Sequence, residues 1–446
     1  MFSLKCSFFG GTHVQAQKNT ANLEIVKAKS PQKIYLALAQ HRGAPAKALV
    51  KAKDQVLMGQ LVAEKQGLVS ANIHSSVSGK VLAIEEQFMA NGLLSSTIII
   101  ENDFQDTPVS GDNTFKVLSA EEIYKQIEAA GIVGMGGGGF PTHVKYTLNK
   151  EKTPDMVILN GIECEPYISA DHRAMLEYAD ELILGLKYLM KLAGAPLGII
   201  AIEDNKPDAI KHLRAKLKDQ EQLQVVVCKE KYPQGSEKHL IYAVSGRIVP
   251  ANCLPADVGV VINNIATAIA VAQAIDRQQP LIERIVTVSG DNIVRPGNYL
   301  VRLGTLFSEL ICENAGGLIK SNRRVIAGGP MMGFALPSLD FPVTKTSGGI
   351  LCFADSGTVA AFDNQAGCVR CGKCVENCPM GLMPTDLVRY TKKKDWIKSK
   401  ESDILMCVEC GACTYNCPAK IPLVQYIRAG KEYALLEGKG RTNPII

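Results

Sequence analysis

The sequence predicts a multidomain α/β protein with β modules on either side of an α/β unit and a cysteine-rich domain near the C-terminus. Three observations predict it: short glycine-broken strands over 40–101, a strand–helix–strand–helix–strand alternation over 156–229, and eight cysteines between Cys368 and Cys417. The expected domains are 1–112, a barrel sandwich; 113–280, the α/β unit; 281–360, a small β-rich module; 361–430, the cysteine domain; and 431–446, a tail.

Over 446 residues there is room for roughly three or four domains. With 46% hydrophobic and 21% charged residues a sizeable core is expected. The formal charge of +5 is small for this length. It argues against a nucleic-acid binder and is compatible with docking on acidic partners or a membrane face. The start MFSLKCSFFGGTHV lacks the apolar core and small-residue cleavage site of a signal peptide. The longest apolar run, Val258–Ile275, carries Asn263 and Asn264 near its start, so a buried strand entering a helix fits better than a membrane span. A chain without spans is expected, with membrane association only through partners.

In the first module, KALVKAKDQVLMGQLVA, SANIHSSVSGKVLAIE and SSTIIIEN read as strands. DQVLMGQLVA and VSGKVLAIE resemble the half-barrels of lipoyl and biotinyl carrier domains. A carrier needs a modifiable lysine at a hairpin tip; Lys65 is the one candidate, and a solvated surface lysine is the simpler reading. Ser119 and Glu122 form a capping box that opens a helix with Ile123 and Ile127 on one face, ending near Gly131. The strand MVILN (156–160) precedes a long helix from about His172 to Leu192, with Leu182, Ile183, Leu186, Leu189 and Met190 on its apolar stripe. Strand 197–203, a helix from Lys206 to Lys218 and strand 223–229 follow, so crossovers and a parallel sheet are expected. From Arg284 to about Phe353 short strands return, with a turn at Arg295-Pro-Gly297.

The cysteines fall in two runs, Cys368-x₂-Cys371-x₂-Cys374-x₃-Cys378-Pro and Cys407-x₂-Cys410-x₂-Cys413-x₃-Cys417-Pro. This is the spacing of bacterial proteins with two [4Fe–4S] clusters, in which the fourth cysteine of each run ligates the other cluster. One cluster is then assigned to Cys368, Cys371, Cys374 and Cys417, the other to Cys407, Cys410, Cys413 and Cys378. Structural zinc is the alternative, but zinc sites pair two CxxC units across a longer gap. Export signals are absent and the other six cysteines (Cys6, Cys164, Cys228, Cys253, Cys312, Cys352) are scattered, so a reducing compartment and packed thiols are expected. Cys164, between two glutamates, should have a disfavoured thiolate.

A second constellation begins at Gly131-Ile-Val-Gly134-Met-Gly136-Gly137-Gly-Gly139-Phe140-Pro-Thr-His143-Val-Lys145. Such a run lets main-chain N–H groups close on a phosphate, and Lys145 adds charge. It lacks the GK[ST] of a P-loop, and no strand feeds it as in a Rossmann fingerprint. Asn160-Gly-Ile-Glu163-Cys-Glu165-Pro ends a predicted strand, where α/β ligands bind. Tyr232-Pro-Gln-Gly235-Ser236-Glu237-Lys and Asn263-Asn264 end the neighbouring ones. Each alone could be an ordinary polar loop; together they converge on one crevice. His143 reads as a packed loop residue.

These segments resemble the flavin- and NADH-binding elements of the FMN-bearing subunit of respiratory complex I, in the same chain order. VSGDNIVRPGNYLVRLGT is similar to the β-grasp module that follows there. With the half-barrel, GGTHV at its start and the two-cluster ferredoxin segment, the whole chain resembles the RnfC family, the peripheral cytoplasmic subunit of Rnf (Rsx) membrane complexes of prokaryotes. The resemblance implies that FMN is held by Gly134, Gly136, Gly137, Gly139, Lys145, Asn160, Asn263 and Asn264. It implies that NADH is faced by Phe140, Glu163, Glu165, Tyr232 and Glu237, with Gly235 in the same motif. It further implies hydride acceptance from NADH, relay of single electrons through two [4Fe–4S] clusters, partners in a membrane-embedded Rnf-type complex, and ion movement by those partners. Ser236 stands where the complex I pattern has a glutamate, which lowers the negative charge at the nucleotide grip. The contrasting reading is a non-catalytic relay and docking subunit using the clusters alone.

Overall fold

The computed structural model describes residues 6–109, 118–147, 153–321, 323–354 and 365–437. The expected boundaries at 112/113 and 360/361 and residues 438–446 of the tail lie outside the described residues.

The first module is the expected half-barrel of two antiparallel sheets. One orders Lys33–Ala37, Leu94–Asn102, Gly79–Phe88 and Gln55–Val56; the other orders Lys47–Ala48, Leu61–Glu64 and Ile73–His74. Ile34, Leu36, Val81, Ile98 and Ile100 fill its core. Strand pairing thus begins before residue 40. Lys65 Nζ lies 2.5 Å from Glu128 at the end of the helix Ala120–Ala129, so it ties this module to the next one.

The α/β unit is a four-stranded parallel sheet in the order Leu223–Cys228, Leu197–Glu203, Met156–Gly161, Val260–Asn264. Its central strands are buried on both faces, which is why MVIL, GIIAI and VVI read as continuous apolar runs. The capping box at Ser119 forms as expected. The long helix is divided into Ala170–Glu177 and Ala179–Ala193, because Tyr178 leaves helical geometry at φ −121°, ψ 33°. Asp180 and Glu181 then sit in a fresh first turn, where carboxylates favour a helix start.

The second of these helices packs on Ile265–Asp276 through Gly185, where a Cβ would overlap the Ala268 carbonyl. Gly185→Leu is therefore expected to destabilise this unit by about 3 kcal/mol, lowering its melting by roughly 5–10 °C. Differential scanning calorimetry checks this.

The third module is a six-stranded sheet in the order Ile25–Lys27, Gly297–Arg302, Glu283–Ser289, Gly349–Ala354, Arg323–Ala327, Phe334–Leu336. Its edge strand comes from the N-terminus, parallel to Gly297–Arg302. In the cysteine domain, helices Pro384–Lys392 and Leu423–Glu437 bury Leu387, Val388, Leu423 and Ile427 with Cys374 and Cys413. Among the described residues no helix is long and apolar enough to cross a membrane.

Candidate functional site

The glycine run folds into a loop closed by Gly134 N–H donating to Phe140 O (2.8 Å) and Gly139 N–H to Gly134 O (3.0 Å). Met135 N–H donates to Thr267 Oγ1 at 3.0 Å. The amides of Gly136, Gly137 and Gly138 donate to no protein acceptor among the described residues, and all three glycines are exposed. A Cβ on Gly136 would lie 3.3 Å from Asn264 Cβ, so the loop presses closely on the end of Val260–Asn264. Three free N–H groups in a concave turn form an anion cradle.

Around it, Lys145 Nζ donates to Ile262 O at 2.8 Å and stands 3.8 Å from Glu237. Burial holds its pKa below the ordinary lysine value, an effect that Glu237 opposes. Asn160 Nδ2 donates to Gly235 O (2.8 Å), joining two of the predicted loops. Asn263 Nδ2 donates to the Tyr146 hydroxyl (2.7 Å), and its buried Oδ1 has no protein partner. Asn264 caps Ile265–Asp276 through Oδ1 and donates from Nδ2 to Asp171 (2.6 Å). An orphaned amide oxygen, free loop amides and a lysine at one strand end fit a phosphate-bearing, hydrogen-bonding ligand such as FMN.

Glu163, Glu165 and Tyr232 are engaged differently from the expectation that they face a nucleotide. Glu163 accepts from Asp171 N–H (2.8 Å) and His172 N–H (3.2 Å), capping Ala170–Glu177. Glu165 accepts from Met331 N–H (3.1 Å) and Met332 N–H (2.9 Å) in the third module; burial pushes its carboxyl up to about 7. Tyr232 is only 1% exposed and donates to Cys410 O at 2.7 Å. The physical reason is a residue outside every motif: Lys18 reaches under the 163–168 loop and donates to the carbonyls of Glu163, Glu165 and Ile168 (2.6, 2.8 and 2.5 Å). A cavity of about 290 Å³ remains beside it, lined by Lys18, Glu163, Cys164, Glu203 and Tyr232 and by no glycine of the loop.

Arg284 is likewise silent in the sequence. It donates to Met135 O (3.4 Å) and to Lys345 O, and Lys345 Nζ donates to Gly131 O (2.7 Å), so the third module pins the carbonyls of the loop's first half. Asp171 is pushed up to about 7, first by burial and then by Glu163. In the window between an ordinary carboxylate pKa and about 7 the folded chain binds the extra proton, so this group's contribution to stability falls as pH rises. Asp171→Asn keeps an acceptor for Asn264 and should flatten that slope, matching the parent near pH 5 and melting higher at pH 8.

His143 is buried (1% exposed) beside Tyr124, and Cys228 and Cys352 are buried as expected. Cys164's thiol is raised to about 12, by burial and then by Glu203. Cys312 departs from expectation by being exposed.

The two cysteine runs repeat one conformation. Arg370 and Glu409 have positive φ, as do Gly372 (+78°) and Gly411 (+77°), which open the short helices Lys373–Glu376 and Ala412–Tyr415. The fourth cysteines cross over. The thiols of Cys407, Cys410 and Cys413 are raised by burial, and Cys378 is close enough to raise each further. Cys417 does the same, with Cys371, to Cys374. Cys378, Cys407, Cys410 and Cys413 line a cavity of about 360 Å³. Among the described residues no three such side chains converge on a single ion. A polynuclear cluster fits these sulfurs better than mononuclear zinc.

The two sets differ in exposure. Cys368 and Cys371 are exposed, whereas Cys410 and Cys413 are buried. The buried set faces the α/β unit through Tyr232–Cys410, His239 Nε2 against Pro379 O (3.0 Å), and Gly11 N–H donating to Asn377 O (3.1 Å). Thr12 completes this N-terminal strap, exchanging backbone hydrogen bonds with Tyr232 at 2.7 and 2.8 Å.

Fold and site together define an iron–sulfur flavoprotein: residues 127–273 match the FMN-binding domain family of complex I, and 367–421 the 4Fe-4S dicluster domain. Residues 6–105 match the RnfC barrel sandwich hybrid domain, and 285–335 the SLBB domain. The chain is 42% identical to the RnfC component of the Na⁺-translocating ferredoxin:NAD⁺ oxidoreductase complex of Acetobacterium woodii, over 95% of this chain and 96% of that one. It is 44% identical to its counterpart in the proton-translocating ferredoxin:NAD⁺ oxidoreductase complex of Clostridium ljungdahlii (95% and 93%). With the counterpart in the ion-translocating oxidoreductase complex of Rhodobacter capsulatus the identity is 42% (95% and 82%). The chain belongs to this RnfC family. Two structures of an NAD⁺-reducing [NiFe]-hydrogenase share its fold, at TM-scores of 0.50 and 0.51 and 20% and 19% identity. They align with 74% and 73% of this chain and 64% and 68% of theirs.

Proposed function

We propose that the chain is the NADH-oxidising, electron-relaying subunit of a membrane-bound Rnf-type complex, held peripherally on the cytoplasmic side. The observation that carries the reading is one body in which a free-amide loop and a buried four-cysteine set meet across Tyr232. Gly134, Gly136, Gly137 and Gly139 shape the phosphate cradle, Lys145 supplies charge, and Asn160, Asn263 and Asn264 hold the flavin. Phe140 and the exposed Glu237 border the side open to NADH; Glu163, Glu165, Tyr232 and Gly235 form the floor that fixes its depth. Bound FMN supplies the conversion of a two-electron hydride into single electrons, which clusters alone cannot perform. Cys378, Cys407, Cys410 and Cys413 would hold the inner cluster, and Cys368, Cys371, Cys374 and Cys417 the outer one, at the surface where a partner can reach it.

The engagement of Glu163, Glu165 and Tyr232 with protein groups favours one rival, a relay subunit that binds no nucleotide. Purified chain mixed with NADH and ferricyanide separates the two. Turnover that falls at least tenfold in Lys145→Ala supports the proposal; no turnover in a preparation with full flavin and iron content supports the relay.

A further inference from the structure

Arg389 to Lys400 reads RYTKKKDWIKSK, six basic residues and one acid in twelve positions, in a chain whose whole formal charge is +5. The segment joins helix Pro384–Lys392 to the short helix Trp396–Glu401. Arg389, Lys392, Lys393, Lys394 and Lys398 are all exposed. Arg389 pairs with Asp386 (3.2 Å) and Lys398 with Asp395 (3.7 Å); Lys393, Lys394 and Lys400 form no ion pair among the described residues. Trp396 stacks on Tyr433 with ring centroids 5.0 Å apart, anchoring the short helix to Leu423–Glu437. Ile397, the next residue, is 66% exposed, and Leu405 and Leu435 are exposed on elements that pack against the same helix.

We infer that this face docks the chain directly on an anionic phospholipid surface. Five of its six basic residues are lysine. Protein interfaces are enriched in arginine, whose planar fork suits fixed partners, and depleted in lysine. A smeared layer of lipid phosphates is met well by mobile point charges, and clusters of this size are the usual signature of such binding. Lysine stems can lie along the interface with their ammonium groups in the headgroups while Ile397 enters the acyl boundary. The cysteine domain would then be the part nearest the bilayer, with the outer cluster presented to membrane-embedded partners.

The inference rests on the peripheral placement proposed above and is independent of the flavin chemistry. The test is co-sedimentation of the intact cluster-loaded chain with phosphatidylcholine vesicles, with and without about one third phosphatidylglycerol. Preference for the anionic vesicles by at least tenfold, lost in 0.5 M salt, is expected. The quadruple variant Lys392→Gln, Lys393→Gln, Lys394→Gln, Lys398→Gln should bind them roughly a hundredfold more weakly, and Ile397→Ser several-fold more weakly. Iron content and NADH–ferricyanide turnover should be unchanged in both, which shows that each variant is folded. Equal binding to neutral vesicles, no binding by the intact chain, or undiminished binding by the quadruple variant would each overturn the inference. Retention of the chain by washed membranes that contain its partner subunits reports the peripheral placement separately.

Discussion

Cys410→Ala and Cys368→Ala are expected to cost the same iron and to have different electronic consequences. Each removes one of four sulfur ligands from a cluster, so each should lower the iron content from about eight to about four per chain. Cys410 belongs to the buried set that Tyr232 touches, whereas Cys368 is exposed. If electrons pass from the flavin through the buried set to the exposed one, the cluster remaining in Cys368→Ala is still reduced by NADH within the time of mixing. In Cys410→Ala the remaining outer cluster is cut off, and its reduction should slow by at least a hundredfold, because tunnelling falls steeply when the intermediate stop is missing. Freeze-quench electron paramagnetic resonance after NADH addition reads both. Equal reduction in the two variants would show that the order of clusters is wrong. A Cys410→Ala protein that also loses its outer cluster would be recognised by its iron count before any rate was compared.

The second large effect falls on the glycine loop. Gly136 is open towards the cradle on one side and only 3.3 Å, measured from a would-be Cβ, from Asn264 on the other. In Gly136→Leu the side chain must either displace Asn264, which caps Ile265–Asp276, or fill the space beside the free amides. Either way flavin binding should weaken by a hundredfold or more, and the purified protein should contain little FMN. The cysteine domain is remote in sequence and makes its own core, so iron should stay near eight per chain. Flavin and iron analysis of one preparation tests this. Full flavin occupancy in Gly136→Leu would move the binding site away from the loop.

Much of this architecture is legible in local pattern. The cysteine runs announce themselves because cluster ligation demands a fixed spacing, and the parallel sheet does so because strands buried on both faces are continuously apolar. The glycine loop and the paired asparagines stand out for a related reason: both lie where the chain must present backbone and amide groups to a ligand. What escapes is what a single long-range contact decides. Lys18, Arg284 and Lys345 are isolated basic residues in ordinary surroundings, and only the tertiary fold brings them to the carbonyls that they hold. The strand Ile25–Lys27 is three residues long and exists because the edge of the third module is open to it. The motif places Tyr232 on the nucleotide side, yet its hydroxyl reaches a cysteine carbonyl 178 positions away. Motifs report which residues gather; they do not report which way each side chain turns.

The central claim is that one chain carries electrons between a nicotinamide nucleotide and two iron–sulfur clusters. Its most direct test is an anaerobic titration of the purified chain with NADH, following flavin absorbance and cluster paramagnetism in the same sample after counting iron, sulfide and FMN. The account predicts about eight iron and one FMN per chain, bleaching of the flavin band by NADH, and appearance of reduced-cluster signals as it bleaches. A chain replete in iron and flavin whose spectra do not respond to NADH, or one that holds zinc in place of iron, would contradict it.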